Sequence, residues 1–356
     1  MSRIAAVAPV LPVEVYTQAE ITHHLAPLIA RDPGKRAVMS RLHTSSKVAT
    51  RHLVRPLESY AALDSFTVSN DVFISEGLLL AERAIRDALE IAGVEAQDVD
   101  FLLFTTVTGV SAPSLDALLI SRLGLRPDVK RMPSFGLGCV AGASGLARVH
   151  DYLAGHPDDV AILLSVELCS LTLQRDDDSM ANLVASGLFG DGATAVVVLG
   201  ERRAEALGAR GPRIVDTSSR VYPDTEGDLG WDVGGTGFRI VLSAGMPDVI
   251  RDHLRPEVDG FLAANGLERD SVTEWMAHPG GPRVLEVFEE VLDLPEHALA
   301  ISWGSLERVG NLSSSSVLHV LADTIETRPA PGAHGLLFAF GPGVSAELVL
   351  LEWPDA

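Results

Sequence analysis

The sequence predicts a layered α/β fold made of two related halves. Short apolar runs, typical of buried strands, alternate along the chain with segments whose apolar residues recur at helical spacing. In addition, several stretches of the first half recur in the same order in the second. The segment 201–212, rich in Arg, Ala and Gly, is the candidate boundary. We therefore expect the halves to comprise residues 1–205 and 206–356.

The individual elements follow from these patterns. The apolar stretch from Ala5 to Val15 contains two prolines and lacks a charged start, so we expect a first strand there and not a signal peptide. The apolar runs predict further buried strands at 101–106, 160–166, 193–199 and 335–340. Helical periodicity predicts helices at 76–92, 140–153, 247–265 and 283–292.

The internal repeat determines the expected arrangement of the two halves. It pairs residues 189–199 with 340–350, 99–109 with 272–281, and the helix start at 138–145 with that at 310–317. Stacking the halves about a pseudo-twofold axis places the two helix starts side by side, and with them Cys139 and Asn311. The alternative is a chance similarity between two α/β halves.

Composition and charge exclude several classes of protein. The 356 residues include 28 Lys and Arg against 48 Asp and Glu, a net charge of −20, with 47% hydrophobic residues. This composition is typical of a globular protein with a large core, and its acidity argues against a general nucleic-acid binder. No apolar run approaches the ~20 residues of a membrane span. Two cysteines cannot form a disulfide framework, so we expect a cytoplasmic location.

Three polar residues at expected turns are candidates for catalysis. Cys139 lies at a helix start made of small residues, where the pKa of a thiol falls below its usual ~8.5. His278 follows a strand-like segment at a Gly/Pro turn, a common place for functional residues. Asn311 is either a helix cap or, opposite Cys139, a donor to an oxyanion. Cys169 ends an apolar run, and we expect it to be a packing residue.

Four motifs carry a family resemblance, and they are Gly138-Cys139, His278-Pro-Gly-Gly-Pro282, Gly310-Asn311-Leu-Ser-Ser314 and Gly341-Pro-Gly343. In this order they resemble type III polyketide synthases, the chalcone synthase-like branch of the thiolase superfamily, and the likeness extends from about Ala6 to Glu352. The resemblance implies a duplicated, thiolase-like αβαβα fold. It also implies a homodimeric acyltransferase that uses coenzyme A thioesters and binds no metal or organic cofactor.

The resemblance further implies the roles of the three candidates. Cys139 is expected to accept the acyl group of a starter acyl-CoA as a thioester, and His278 to hold the cysteine as a thiolate. His278 and Asn311 are expected to bind the substrate carbonyl during decarboxylative condensation with malonyl-CoA. Each motif is modest alone, but the four together predict one reaction centre.

Residues around this centre can also be matched to the family. Phe189 and Phe238 lie in the two regions that carry its gatekeeper phenylalanines, Thr172 occupies a cavity-lining position, and Ser313 belongs to the asparagine motif. We expect these four residues to contact the substrate.

The phosphates of coenzyme A require local positive charge. The stretch 31–55 has a single acidic residue, Asp32, and contains Arg31, Lys35, Arg36, Arg41, Lys47, Arg51 and Arg55. A solvated helix face is the default interpretation of such a run. Because the family uses this region at its tunnel mouth, Arg41 is the first candidate and Lys47 the second. Gly281 and Arg283 are expected near the pantetheine arm.

The substrate is predicted from two local features. Residues 164–174 resemble bacterial synthases that make alkylresorcinols or alkylpyrones from fatty acyl starters, and Ala112 replaces a methionine that is usual in plant members. We therefore expect a medium- or long-chain fatty acyl-CoA starter and cyclisation to an alkylresorcinol or alkylpyrone. The alternatives are a β-ketoacyl-ACP synthase III-like condensing enzyme and a chalcone-synthase-like enzyme with an aromatic or malonyl starter.

Two alternatives outside this chemistry have less support. A papain-like protease also has Cys, His and Asn in this order, but its sequence signature around the cysteine is absent here. A catalytically silent binding protein has no reason to retain all three polar residues.

Overall fold

The computed structural model describes residues 1–243 and 245–354. The strands are β1 (Ser2–Val10), β2 (Glu14–Thr17), β3 (Thr50–Leu53), β4 (Val99–Thr106), β5 (Lys130–Phe135), β6 (Val160–Leu168), β7 (Asp191–Gly200), β8 (Arg213–Val221), β9 (Leu229–Gly234), β10 (Gly237–Leu242), β11 (Val272–Ala277), β12 (His334–Gly341) and β13 (Ser345–Glu352). The helices are α1 (Gln18–Ile29), α2 (Pro33–Ser45), α3 (Phe66–Ala92), α4 (Leu115–Leu123), α5 (Ala141–Gly155), α6 (Met180–Ala185), α7 (Glu201–Leu207), α8 (Met246–Ala264), α9 (Pro282–Leu292), α10 (Ala300–Val309) and α11 (Ser316–Glu326).

The strands and helices predicted from sequence are present, and two of them differ clearly in their bounds. The first strand ends at Val10, and a short second strand follows after a break. Helix α3 begins already at Phe66, where the Ser65 hydroxyl accepts a hydrogen bond from the Val68 amide and caps the helix. The segment 201–212 is not an irregular linker, because most of it forms α7.

The large sheet confirms the duplicated architecture. Its nine strands have the order β11-β12-β13-β8-β1-β7-β6-β4-β5. In the first half, β4 is parallel to β6, β6 antiparallel to β7, and β7 antiparallel to β1. In the second half, β11, β12, β13 and β8 repeat this pattern. The half-sheets meet where β1 pairs with β8 at Ser2–Ile214 and Arg3–Arg213.

Three hydrophobic clusters define the layers around the half-sheets. One joins α3 and α4 to the outer face of the first half-sheet, and a second joins α8 and α9 to that of the other. The third lies between the half-sheets, where α5 packs against α11. The order of layers is therefore helix, sheet, helix, sheet, helix.

Small residues allow the two central helices to approach each other. A β-carbon on Gly142, in the first turn of α5, would lie only 2.2 Å from the backbone oxygen of Ser314, just before α11. On the opposite side of α5, a β-carbon on Gly145 would lie 2.4 Å from the Leu163 side chain of β6. A larger residue at either position would therefore overlap with the Ser314 backbone or with the Leu163 side chain.

A smaller helical layer covers one end of the molecule. Helices α1, α2 and α6 pack around a cluster that includes Ile21, Met39, Tyr60 and Leu183, and the β2–β3 ribbon closes it. No helix in the described part of the chain is long and apolar enough to cross a membrane.

Candidate active site

Cys139 is presented by a tight turn at the start of the first central helix. Gly138 has a φ of +55°, and a β-carbon there would lie 2.7 Å from the ring of Pro342. A single 3₁₀ turn, Gly138–Val140, then leads into α5. The Cys139 side chain is half-buried, and its thiol donates to the Ser313 hydroxyl at 3.8 Å.

His278 follows β11 directly, in the turn that leads to α9. Its amide donates to the Phe338 carbonyl at 2.9 Å, which extends the pairing with β12 by one residue. The imidazole is buried, and within the described residues neither ring nitrogen has a hydrogen-bond partner. Both nitrogens are therefore available to a ligand, because a buried polar group is normally paired.

Asn311 stands at the equivalent turn of the second half. Gly310 has a φ of +72°, and a β-carbon there would lie 2.5 Å from the Leu188 backbone oxygen. The Asn311 side-chain oxygen accepts from the Ser313 amide at 2.8 Å and the Ser316 hydroxyl at 3.3 Å. Its Nδ2 donates to the Gly280 carbonyl at 3.1 Å, which leaves one hydrogen for a ligand.

The structure brings all three candidates to one cavity of about 260 Å³. Its walls are mostly apolar, and they include Leu188, Phe189, Ile240, Leu242, Met246, Phe288 and Phe340. A nucleophile, an imidazole and an oriented amide in an apolar chamber can stabilise an oxyanion with little competition from water.

Burial shifts the pKa values of both the thiol and the imidazole of the site. Burial raises the pKa of Cys139 to about 12, with the Ser313 and Asn311 side chains lowering it and the charge of Glu167 raising it. Burial also lowers the pKa of His278 to about 3. Both shifts favour the uncharged forms, so the helix start alone does not offset burial of this thiol, and the thiolate held by His278 stays a prediction.

A buried carboxyl group near Cys139 was not identified from the sequence. Glu167 of β6 accepts hydrogen bonds from the Ser314 hydroxyl, the Val107 amide at 3.1 Å and the Thr108 hydroxyl at 3.0 Å. Burial raises its pKa to about 7. The sequence does contain a signal for this group, because Glu167 lies inside the apolar run 160–168. A glutamate in a buried strand requires hydrogen-bond partners that are also buried.

The two gatekeeper candidates have different positions. Phe189 lines the cavity, whereas Phe238 lies on β10 beyond its wall and packs against Phe66 with ring centres 5.3 Å apart. Ile240 and Leu242, on the same face of β10, line the cavity instead. Two residues of strand advance the chain by about 6.8 Å, which carries Phe238 past the chamber.

An aromatic wall residue was also missed. Phe340, matched to Phe189 by the internal repeat, lines the same cavity. The repeat that pairs the two halves also indicates that both phenylalanines face the boundary between the halves.

Thr172 lies in a second, smaller cavity of about 40 Å³ behind Phe189 and Ile240, which line both spaces. Its hydroxyl donates to the Cys169 carbonyl at 2.8 Å. Cys169 is buried, as expected for a packing residue. Ser313 is buried against the Cys139 sulfur, where it contacts the nucleophile.

The residues proposed for coenzyme A are divided between two surfaces. Gly281 and Arg283 line the reaction cavity, and so do Leu42, Ser45 and Ser46 at the end of α2. Arg41 precedes Leu42 on this helix and is exposed.

Lys47 is directed elsewhere. It has a φ of +61° and lines an open groove of about 860 Å³ that also holds Glu289, Glu296 and Glu307. Such an acidic groove does not favour a phosphate, and a contact between Lys47 and coenzyme A stays a prediction. The left-handed backbone conformation turns the chain at this point, and the sequence does not reveal that turn.

Most of the other cations in 31–55 already have partners. Arg31 pairs with Asp176 at 2.6 Å, Lys35 with Asp178 at 3.8 Å and Arg55 with Glu76 at 3.3 Å. The run is therefore not a continuous phosphate site. Across residues 1–243 and 245–354, no group of three or more His, Cys, Asp or Glu is placed to hold a metal ion.

Comparison with known proteins shows the family of the chain. Residues 3–201 match the family model of the N-terminal domain of chalcone and stilbene synthases, and residues 213–353 match that of the C-terminal domain. A 1,3,6,8-tetrahydroxynaphthalene synthase of Streptomyces peucetius subsp. caesius is 54% identical over 351 residues, covering 98% of this chain and 93% of the relative.

More distant relatives agree with this assignment. An alpha-pyrone synthesis polyketide synthase-like protein of Mycobacterium tuberculosis is 30% identical, covering 96% of this chain and 88% of its own. The crystal structure of 1,3,6,8-tetrahydroxynaphthalene synthase from Streptomyces coelicolor superposes with a TM-score of 0.93 at 32% identity, covering 99% and 100% of the two chains. The fold is thiolase-like, and the protein is an acyltransferase that makes polyketides. The chain thus belongs to the chalcone and stilbene synthase family, the type III polyketide synthases.

Proposed function

We propose that the protein condenses malonyl-CoA units, with malonyl-CoA also as the starter, into 1,3,6,8-tetrahydroxynaphthalene. The observation that carries the condensing chemistry is the meeting of Cys139, His278 and Asn311 in one apolar cavity. The product is proposed from the 54% identity to a synthase named for that naphthol. A naphthalene without an alkyl tail needs only short acyl units.

The dimensions of the cavity favour short acyl units over the fatty acyl starter expected from the sequence. Its volume of about 260 Å³ is small beside the ~300–1,000 Å³ of typical ligand pockets. The space behind Phe189 adds only about 40 Å³. The relative named for α-pyrone synthesis, the chemistry nearest to the alkylpyrone prediction, is 30% identical.

Acyl loading begins with the neutral pair. The Cys139 sulfur attacks the thioester carbonyl of the acyl-CoA while a His278 ring nitrogen takes the thiol proton. The Asn311 Nδ2–H and the protonated imidazole stabilise the oxyanion of the tetrahedral intermediate. The bond to the coenzyme A sulfur then breaks, and His278 returns the proton to that sulfur. The acyl group remains on Cys139 as a thioester.

Chain extension begins with the loss of carbon dioxide from malonyl-CoA. The electron pair of the broken C–C bond forms an enolate, whose oxygen accepts hydrogen bonds from His278 and Asn311. One such donor is worth ~3–4 kcal/mol where water is excluded. The apolar walls made by Leu188, Phe189 and Phe340 disfavour the carboxylate relative to neutral carbon dioxide. The enolate carbon attacks the Cys139 thioester, and the cysteine leaves as a thiolate.

Coenzyme A thioesters are the proposed substrates, and their carrier must remain outside the chamber. Gly281, Arg283, Ser45 and Ser46 are among the residues that line it. We propose that Arg283 and the exposed Arg41 attract the phosphates while the pantetheine arm passes Gly281. Arg283 pairs with Glu286 at 3.1 Å, so binding exchanges this exposed contact for one with a phosphate.

A homodimer is proposed from the edge of the large sheet. The last strand, β5, exposes Met132 and Phe135, and the following loop exposes Leu137. An edge strand with apolar exposed side chains is a template for pairing unless it is covered, and we propose that a second copy covers it. Because Leu137 precedes Cys139 by two residues, this interface would support the nucleophile.

The dimer has a direct test. Phe135→Asp should convert the protein to a monomer in sedimentation velocity, because it places a charge at the centre of the exposed apolar patch. Val233→Asp, an exposed valine on β9, is the matched control and should leave the dimer intact. A wild-type protein that sediments as a monomer contradicts the proposal.

The proposed function is tested by the products formed from malonyl-CoA alone. Mass spectrometry should detect the tetrahydroxynaphthalene and its oxidation products without any added starter, and Cys139→Ala should form neither. A panel of fatty acyl-CoAs is the second arm. Alkylresorcinols or alkylpyrones formed only with those starters would support the alkyl interpretation instead. Turnover only with malonyl-ACP would support a β-ketoacyl-ACP synthase.

A further inference from the structure

The segment 187–190 connects the reaction centre to the outer helical layer. On one side, the Asn311 amide donates to the Leu188 carbonyl at 2.8 Å and the Gly190 amide donates to the Asn311 carbonyl at 3.0 Å. These two bonds form a short parallel bridge between Phe189 and Asn311. A wall residue of the cavity and the oriented amide of the site are therefore held in register by backbone pairing.

The opposite side of this segment is held by two buried side chains. Arg51 Nη1 donates to the Phe189 carbonyl at 2.7 Å, and Gln18 Nε2 donates to the Gly187 carbonyl at 2.6 Å. Arg51 Nη2 also donates to the Gln18 side-chain oxygen at 2.7 Å, which joins the two contacts. Successive carbonyls of the segment thus bond alternately to the outer layer and to Asn311.

The stem of Arg51 contacts the second half of the bridge as well. A β-carbon on Gly310 would lie 3.1 Å from Cγ and 3.2 Å from Cδ of Arg51, so the stem packs directly on the residue before Asn311. Arg51 is buried, with only 2% of its surface exposed, and it donates a hydrogen bond to the cavity wall. Within the described part of the chain, no other cation of the basic run 31–55 combines these two properties. Its position therefore fixes Phe189 and Gly310 together.

A counter-charge makes this buried cation tenable. The charge of Asp191, itself buried at the start of β7, opposes the desolvation that lowers the pKa of Arg51 to about 10. Arg51 therefore remains charged at neutral pH. A guanidinium is suited to this place, because its planar fork can serve two acceptors at once whereas an ammonium cannot match both directions.

We propose that Arg51 is a positioning residue that sets the register between Phe189 and Asn311, and thereby the donor geometry for the malonyl enolate. It touches no reacting atom. Its effect passes through the Phe189 carbonyl and the backbone of Gly310. This inference rests on the decarboxylation proposed above, but the exchange measurement described next does not.

The first test measures the bridge itself. Arg51→Met keeps an apolar stem against Gly310 and removes the donors. Hydrogen exchange at the Gly190 and Asn311 amides should become at least about tenfold faster, since both amides close the bridge. Arg3→Met is the matched control, because Arg3 also donates to a backbone carbonyl, that of Gly211, at a distance from the site. It should leave both amides unchanged.

The second test measures chemistry. Arg51→Met should lower malonyl-CoA decarboxylation about 10- to 100-fold through misplacement of the donors. The rate of Cys139 alkylation by iodoacetamide should change much less. In the Asn311→Ala background, the same substitution should cost less than about threefold, because the group that it positions is already absent. Arg51→Lys should lie between wild type and Arg51→Met.

Three results would overturn the proposal: unchanged exchange at both amides in a folded Arg51 variant, full additivity with Asn311→Ala, or equal losses in decarboxylation and alkylation. If Arg51→Met does not fold, Arg51→Lys is subjected to the same measurements and the same criteria. If the wild-type protein does not decarboxylate malonyl-CoA, the proposed function fails, and the exchange rates alone decide the role of Arg51.

Discussion

The two halves present equivalent helix starts to the cavity, but only one supplies a nucleophile. Gly138 and Gly310 both have a positive φ, and a 3₁₀ turn precedes the central helix in each half. The first turn presents the Cys139 thiol and the second the Asn311 amide. The duplicated backbone thus provides two converging positions, and the side chains placed there divide the chemistry into attack and charge stabilisation.

The ends of the equivalent strands β4 and β11 differ in the same way. Thr106 and Thr108, at the end of β4, are engaged by the Glu167 carboxyl group. His278, at the end of β11, has no partner for either ring nitrogen within the described residues. The first half satisfies its polar groups internally, whereas the second leaves an imidazole for the substrate.

The largest effect should come from exchanging the nucleophile itself. Cys139→Ala should lower polyketide formation by more than about 10³-fold, because no other group can carry the acyl chain. Cys139→Gln should retain malonyl-CoA decarboxylation, since its amide carbonyl imitates the thioester. Product analysis and carbon dioxide release measure the two activities. Polyketide formed by Cys139→Ala would remove the distinction between the two helix starts.

The equivalent position in the second half should have a smaller effect. Asn311→Ala should lower polyketide formation by about 10²- to 10³-fold, the usual consequence of removing one oxyanion donor. Alkylation of Cys139 should stay within a few-fold of wild type, which separates the roles of the two halves. Asn265→Ala, which removes an amide that bonds to Asp216 and the Phe261 carbonyl, is the control and should leave activity unchanged.

The two turn glycines can be compared through the free energy of unfolding. Gly310→Ala should cost about 3 kcal/mol, because a strained φ adds to overlap with a fixed backbone oxygen. Gly138→Ala should cost less, since its nearest neighbour is a proline ring. Gly343 also has a positive φ, but a β-carbon there would have no neighbour within 4 Å. Gly343→Ala should therefore lower the free energy of unfolding by only about 1 kcal/mol. Urea titration measures all three, and equal losses would contradict the ranking.

The pH dependence of Cys139 alkylation tests the charge state of the site. Because the pKa of Cys139 is raised to about 12, the thiolate fraction is small at neutral pH and grows as pH rises. The alkylation rate should therefore increase about tenfold for each pH unit. Buried Cys169 should remain unlabelled in the native protein. A rate that is already constant near neutral pH would show an imidazolium–thiolate pair instead.

Much of this architecture could be predicted from the sequence because it repeats. The match of residues 189–199 to 340–350 and the two glycine-flanked helix starts were sufficient to place Cys139 beside Asn311. Buried strands such as β6 were recognised because both of their faces are covered, which leaves a continuous apolar run. Strand β5 was missed because its side chains are mostly exposed and its sequence has no such run.

The positions of Lys47 and Phe238 could not be predicted because both depend on backbone direction. The left-handed conformation at Lys47 turns a basic side chain into an acidic groove, and the advance along β10 moves Phe238 beyond the cavity. The sequence also does not show how strongly burial raises the pKa of Cys139, because desolvation depends on every neighbouring layer. Local sequence patterns identified the candidate residues. The direction of each side chain and the extent of its burial are determined only by the packing of the layers.

The absence of a side chain at Gly142 has a practical consequence for engineering. It lets α5 and the backbone at Ser314 touch, so direct main-chain contact fixes the distance between the two helix starts that carry Cys139 and Asn311. Designers who wish to alter the product can therefore reshape the chamber at Ile240, Leu242 or Met246 without disturbing the catalytic spacing. Substitutions at position 142, in contrast, should be left out of any such library.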